Sequence, residues 1–320
     1  MTSRFDRRWL MTVGLAALIA GCGGGSSDGG SGTGGASGLG GTTSTGGASA
    51  TGGVSGTGGA PSTGGSTGSG GVTGSGGSPS TGGTIGTGTG GATHTGLWKV
   101  MPLGDSVTES TCYPQITSQT LMAGHHTNFQ FVGTETTNQS CGSGAPSSVK
   151  DEGHAGYGVT YLPQNSTRSA CTKSSGCGSY AELQTWAAEK PDIVLMHFGT
   201  NDVWDGVATS TILSAYVAVI AEFRKQNPNV IFFVSKIIKL APSGCGSCLT
   251  NVAALAAAVT PAWASSNSTA SSPVYIVDHY GSSFDPTNTA DTGDGVHPTA
   301  AGATIMANVT YDAIVASGYF

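Results

Sequence analysis

Charged side chains make up only 9% of this 320-residue sequence, and lysine and arginine together number 12. Three of these, Arg4, Arg7 and Arg8, precede the first apolar run. Residues 97–320 therefore carry nine Lys/Arg against sixteen Asp/Glu, a formal net charge of −7, with no basic stripe, which speaks against a nucleic-acid partner. Long hydrophobic runs are missing too. The first, Trp9–Ala20, is too short to span a bilayer comfortably. From residue 23 to residue 96 large apolar side chains are almost absent, so this stretch lacks the means to offset its ordering entropy by burial. One C-x-x-C, Cys245–Cys248, has neither a second such pair nor a nearby histidine to complete it, which leaves a zinc or redox centre weakly supported.

What is present divides the chain into three. Residues 1–22 have a basic start, an apolar run and then Ile19-Ala20-Gly21-Cys22, which resembles a bacterial lipobox whose cysteine (Cys22) is lipidated. An ordinary signal peptide with an incidental cysteine is the alternative. Residues 23–96 are nearly all Gly, Ser, Thr and Ala in irregular Thr-Gly-Gly and Ser-Gly-Gly steps, and most of the glycine, 54 in all, lies here. As a flexible coil of roughly 70 residues this linker spans about 45–50 Å root-mean-square. It contains two G-x-S-x-G matches, at Gly25–Gly29 and Gly64–Gly68, without the flanking strand and helix that such an elbow needs, and both are set aside. Residues 97–320 are a suitable length for one domain. Of the seven cysteines, six fall in that domain, an even number that suggests disulfides and export. Six allow 15 pairings; local spacing favours Cys112–Cys141, Cys171–Cys177 and Cys245–Cys248.

Within residues 97–320, apolar runs alternate with helical patterns. The runs at 97–103, 129–132, 193–198, 230–234 and 274–277 read as strands. Helices are expected at 114–123, 180–189, 209–226, 249–263 and 298–316, the last with Pro298 in its first turn. The Gly/Ser/Cys-rich stretch up to about Gly178 offers no clear element. Near-continuous apolar strands between helices imply a parallel sheet covered on both faces. The expected fold is an α/β flavodoxin-like three-layer sandwich around a five-stranded parallel sheet. In such sheets the site lies beyond the C-terminal strand ends.

Those ends carry chemistry. Gly104-Asp105-Ser106 follows the first strand, Gly199-Thr200-Asn201-Asp202 the third, and Asp294-Gly295-Val296-His297-Pro298 comes after the fifth. A serine hydroxyl needs a base to take its proton; imidazole as a group titrates near neutral pH, which makes His297 the candidate, and Asp294 three residues earlier is placed to orient it. Each also has a plainer reading. Ser106, Asn201 and Asp202 are all good helix caps, Gly156 suits a turn, and Asp294 and His297 suit a polar loop. Asp105 is expected to buttress the Ser106 turn and Asp202 to be structural. His125 and His126 are expected to be solvated at a helix end, and His197 to be a core histidine.

Together these blocks resemble the SGNH (GDSL-type) hydrolases: Leu103–Ser106, Gly199–Asp202 and Asp294–Pro298 match three of that family's blocks. Glu152-Gly153-His154-Ala155-Gly156-Tyr157 is similar to a fourth, with Ala155 and Tyr157 departing from the usual Ser and Trp. Met101–Ser110 and the Gly244–Cys248 loop are similar to acetylxylan esterases of carbohydrate esterase family 3. The resemblance implies Ser106, His297 and Asp294 as catalytic residues. It assigns the oxyanion hole to the N–H groups of Ser106 and Gly156 and the side-chain amide of Asn201.

His154, Tyr157 and Trp204 stand near these blocks as possible substrate contacts, with packing as the rival reading. No metal or organic cofactor is implied. The expected protein is an exported, lipid-anchored serine esterase, acting as a monomer on acetylated polysaccharide and touching the membrane only through its lipid. A lipase, thioesterase or general short-chain esterase is the alternative within the fold. A non-catalytic surface carbohydrate-binding protein is the alternative outside it. No separate carbohydrate-binding domain is evident.

Overall fold

The computed structural model describes residues 94, 96–168, 171 and 176–319. The Cys22 lipid site and nearly all of the expected linker lie outside these residues. His94 and Gly96, which composition assigns to the linker, already touch the domain. His94 stacks on Trp98 at 3.8 Å, and Asn128 donates to the Gly96 carbonyl.

Seven strands form one sheet. They are β1 (Trp98–Gly104), β2 (Phe129–Phe131), β3 (Glu135–Thr137), β4 (Val149–Gly153), β5 (Ile193–His197), β6 (Ile231–Lys236) and β7 (Val274–Asp278). The five expected strands make the parallel series β2-β1-β5-β6-β7, with the strand order reversing between β1 and β5. The apolar runs are continuous because both sheet faces are covered, and their side chains alternate between two cores. Met101, Leu103, Val194, Met196, Phe232 and Val234 belong to one core, together with Leu183, Tyr216 and Phe223. Val100, Ile193, Leu195, Ile231 and Phe233 belong to the other, with Leu121 and Ile314.

The two additional strands come from the stretch that offered no clear element. β4 pairs parallel with the C-terminal half of β1, while β2 pairs with its N-terminal half, so the two share one edge of β1 end to end. β3 runs antiparallel to β4. The hydrophobic pattern hides β4 because its buried side chains are carboxylates. Asp151 accepts from the N–H and hydroxyl of Thr137, and Glu152 from the N–H and hydroxyl of Thr134. Hydrogen bonding thus makes burial of these acids tolerable.

Eight helices are described: α1 (Ser106–Glu109), α2 (Tyr113–Ala123), α3 (Tyr180–Ala188), α4 (Thr200–Trp204), α5 (Thr209–Gln226), α6 (Cys248–Ala258), α7 (Pro261–Ser266) and α8 (Ala300–Ser317). α5 buries Ile212, Ala215, Tyr216, Val219, Ile220 and Phe223, the stripe its sequence spacing announces. Two helices differ from expectation. The segment 249–263 breaks in two because Pro261 lacks an N–H and sits at the start of a new helix, capped by the Thr260 hydroxyl. Pro298 lies outside the last helix, which starts at Ala300 with Thr299 as its cap; Pro298 instead forms a bridge with Thr292.

The six cysteines of the domain join as Cys112–Cys141, Cys171–Cys177 and Cys245–Cys248. Closing a longer loop removes more entropy from the unfolded chain. The 29-residue separation of Cys112–Cys141 should therefore stabilise most, by about 3–4 kcal/mol. Replacing both Cys112 and Cys141 with Ala is expected to lower the urea midpoint well beyond the effect of replacing both Cys245 and Cys248.

His197 and His279 are both wholly buried, with ring centres 5.4 Å apart. Burial pushes His197 down from 6.5 to about 4 and His279 well below its ordinary value. Each is neutral when folded and free to protonate when unfolded. Their contribution is complete above about pH 6.5 and is lost as pH falls towards 4, on the order of 3 kcal/mol for His197. Asp105 and Asp151, raised to about 6 mainly by burial, act oppositely over much of the same window. The informative comparison is therefore His197→Gln with wild type. Between pH 7 and pH 4 the variant's unfolding free energy should fall less steeply, as read by urea titration at each pH.

Candidate active site

The site is assembled where the strand order reverses. β1 ends at Gly104, and the next residue, Asp105, is wholly buried. One of its oxygens accepts from the Val107 N–H (3.1 Å), capping α1. The other accepts from the Thr200 N–H (3.1 Å), the first residue of α4. One carboxylate thus fixes the turn after β1 to the turn after β5. Burial raises Asp105 to about 6 despite these bonds, and the nearby Asp202 pushes the same way.

Ser106 opens α1, half-buried. His297 Nε2 lies 2.8 Å from its Oγ, and His297 Nδ1 lies 2.6 Å from Asp294 Oδ2. With Nδ1–H donating to Asp294, Nε2 is free to accept from the serine hydroxyl. The second Asp294 oxygen takes the N–H groups of Val296 (2.9 Å) and His297 (2.8 Å). Partial burial pushes Asp294 up, but the bonds from His297 and Val296 outweigh it and hold the carboxyl near 2. The loop bearing this pair is closed by the Thr292–Pro298 bridge and bonded to Ala241, whose N–H donates to the Gly295 carbonyl (2.9 Å). Gly295 is at φ +79°, and a Cβ there would stand 2.5 Å from the Ala241 oxygen, so both conformation and space require glycine.

Asn201 is carried by α4. Gly199 precedes that helix at φ +117°, which lets the chain turn sharply from β5 into it. The Asn201 amide donates to the Tyr157 carbonyl (2.9 Å), which fixes the amide plane. Asp202 turns inward. It accepts from the Val159 (2.8 Å) and Thr160 (3.2 Å) N–H groups, and burial raises its pKa.

Gly156 lies in the loop after β4, at φ +83°. The His154 N–H donates to the Gly104 carbonyl (3.0 Å), the Ala155 N–H to Glu109, and the Gly158 N–H to the Cys177 carbonyl (3.1 Å). The rings of His154 and Tyr157, expected near substrate, both have partners within the protein. His154 stacks on Tyr157 and on Trp186, and bonds to the buried Glu152 (2.7 Å). Burial pushes His154 down, but Glu152 more than compensates and its pKa is raised. The Tyr157 hydroxyl donates to Glu182 (2.7 Å). Trp204, by contrast, is 42% exposed.

The fold therefore brings Ser106, His297 and Asp294 into one hydrogen-bonded chain and fastens the Gly156 loop and Asn201 to each other. Sequence reasoning did not find Glu109, Glu152, Trp186 or Thr200 as supports. Only Glu109 left a signal, three residues after Ser106 and so on the same side of a helix. Two clefts among the described residues lie elsewhere. One, of about 460 Å³, runs between the 160–167 loop and α5, and the other lies beside β2; neither is lined by Ser106. The His297 and Asp294 side chains are 40% and 54% exposed, so this is an open surface site.

Comparison with known proteins bears on the family and the fold. Residues 103–305 match the GDSL-like Lipase/Acylhydrolase family. A carbohydrate esterase family 3 protein from Talaromyces cellulolyticus is 30% identical with a TM-score of 0.54, covering 68% of this chain and 97% of that one. An acetyl esterase with a serine-to-alanine substitution, solved with an acetate ion, is 28% identical with a TM-score of 0.53, covering 70% and 100%. A multidomain esterase from Ruminococcus flavefaciens is 33% identical over 121 residues, which are 35% of this chain and only 15% of that protein. The chain belongs to the GDSL-like lipase/acylhydrolase family and is a carboxylic ester hydrolase.

Proposed function

We propose that this domain removes O-acetyl groups from a polysaccharide of the acetylxylan type through an acetyl-Ser106 intermediate. The observation that carries the reading is the Ser106–His297–Asp294 chain of hydrogen bonds at an open surface. The likeness to a carbohydrate esterase family 3 protein and to an acetyl esterase supports the substrate class.

Ser106 Oγ attacks the ester carbonyl carbon while its proton passes to His297 Nε2. Asp294, ionised far below neutrality, stabilises the imidazolium so formed. The carbonyl oxygen becomes an oxyanion facing the Ser106 and Gly156 N–H groups and the Asn201 side-chain amide. Collapse breaks the bond to the sugar oxygen, which leaves with the proton from His297. A water molecule, giving its proton to His297, then attacks the acetyl carbonyl carbon; the bond to Ser106 Oγ breaks, Oγ takes that proton back from His297, and acetate is released. Three disulfides suit folding in an oxidising compartment. With the lipobox-like Cys22 and the Gly-rich 23–96 stretch, they fit an exported domain on a tether.

Ser106→Ala is expected to lower kcat at least ~1,000-fold on acetylated xylan while leaving the fold intact. Acetate release from acetylated xylan, chitin fragments and pectin, with this variant as control, tests the reading. Comparable rates on long-chain aryl esters would reject acetyl specificity. Asn201→Ala is expected to cost about 100- to 1,000-fold in kcat with little change in KM, because an oxyanion donor meets full charge only in the transition state. A change confined to KM would remove Asn201 from the oxyanion hole.

A further inference from the structure

Trp204 is the one aromatic side chain among the large hydrophobic residues that stand exposed in the described structure. It is the last residue of α4, three after Asn201. Positions three apart share a helix face, and the rise of an α-helix puts them only about 4.5 Å apart along the axis. The indole thus stands within one helical turn of the proposed oxyanion donor.

Its neighbour on the other side is the segment 241–248. A Cβ at Gly244 would lie 3.8 Å from the indole Cζ2, so the main chain there runs beside the ring. The same segment begins at Ala241, bonded to the Gly295 carbonyl in the loop that carries Asp294 and His297. It ends at Cys248, where α6 starts, and Asn251 of that helix donates to the Val203 carbonyl of α4 (3.1 Å). The Cys245–Cys248 disulfide closes the turn. One short, covalently pinned piece of chain therefore joins the loop bearing His297 to the flank of Trp204.

Reaction geometry gives that surface a direction. His297 returns its proton to the leaving oxygen, so the alcohol half of the ester lies on the His297 side of the carbonyl. The 241–248 segment is bonded to the loop that carries His297, and Trp204 stands exposed at its flank. We propose that Trp204, flanked by Gly244 and the disulfide-closed turn, is the subsite for the sugar ring that carries the ester oxygen. An indole face offers an uncharged, rigid apolar plate to the C–H face of a pyranose, whose hydroxyls stay in water. This assignment rests on the polysaccharide esterase reading above.

The test compares wild type, Trp204→Ala and Trp204→Phe on two acetate esters, an acetylated xylo-oligosaccharide and ethyl acetate. The readout is the ratio of the two kcat/KM values. For Trp204→Ala this ratio should fall about tenfold, mainly through a higher KM for the saccharide. Trp204→Phe should recover most of it. An unchanged ratio in Trp204→Ala, or no recovery in Trp204→Phe, overturns the subsite while leaving saccharide deacetylation standing. If wild type hydrolyses ethyl acetate but releases no acetate from the saccharide, the polysaccharide reading falls and the subsite falls with it.

Discussion

The Asp105 carboxylate is the constraint on which the site depends. It is buried between the ends of β1 and β5, where the strand order reverses, and it holds one N–H from each of the two turns that begin there. Without it the two turns would be joined only through the strands behind them. With it, Ser106 and Asn201 become parts of one rigid unit. Its cost is visible in its own chemistry, since burial lifts its pKa to about 6. A buried acid with two directed donors is tolerable; the same acid with one donor removed would leave an amide N–H unsatisfied as well.

The motif repeats around the loop that carries Gly156. Asp202 gathers the Val159 and Thr160 N–H groups, and Glu109 takes the Ala155 N–H. Glu152 holds Thr134 on one side and His154 on the other. Carboxylates with backbone N–H partners thus set the loop from three directions. Residues 153–160 are held in this way although they lack an apolar pattern. Their order comes from hydrogen bonds to buried acids, where the central strands rely on apolar burial.

That difference also marks how far the sequence could be read. The five apolar strands, the α5 stripe and the strand-end blocks are local patterns, and each was legible from residue spacing. β3 and β4 were not, because their inward side chains are Asp, Glu and Thr, which in a linear pattern look like a solvated loop. The break at Pro261 was readable in principle and was outweighed by the alanines around it. For the site, Ser106, Asn201, Asp294 and His297 announce themselves by residue type at strand ends. Supports such as Thr200 and Trp186 do not, since the bond from Thr200 to Asp105 spans 95 positions of sequence. His154 and Tyr157 were open to two readings on sequence alone, and only their partners, Glu152 and Glu182, reveal what their side chains hold.

The two halves of the site differ in exposure, and the chemistry asks for that difference. Asp105 and Asp202, which hold the oxyanion side, are fully buried, whereas Asp294 and His297 are half open to solvent. An oxyanion is stabilised most by donors that need not reorient as charge appears, which calls for a dense, dry framework behind them. A general base has the opposite need. In the mechanism proposed, His297 exchanges its proton first with the leaving oxygen of the ester and then with water, so it has to stand where both arrive. Exposure would weaken its orientation, but the Thr292–Pro298 bridge, the Gly295–Ala241 contact and the two N–H bonds to Asp294 fix the loop through its backbone. The imidazole therefore keeps its direction without being buried, as an open site for the proposed polymeric substrate requires.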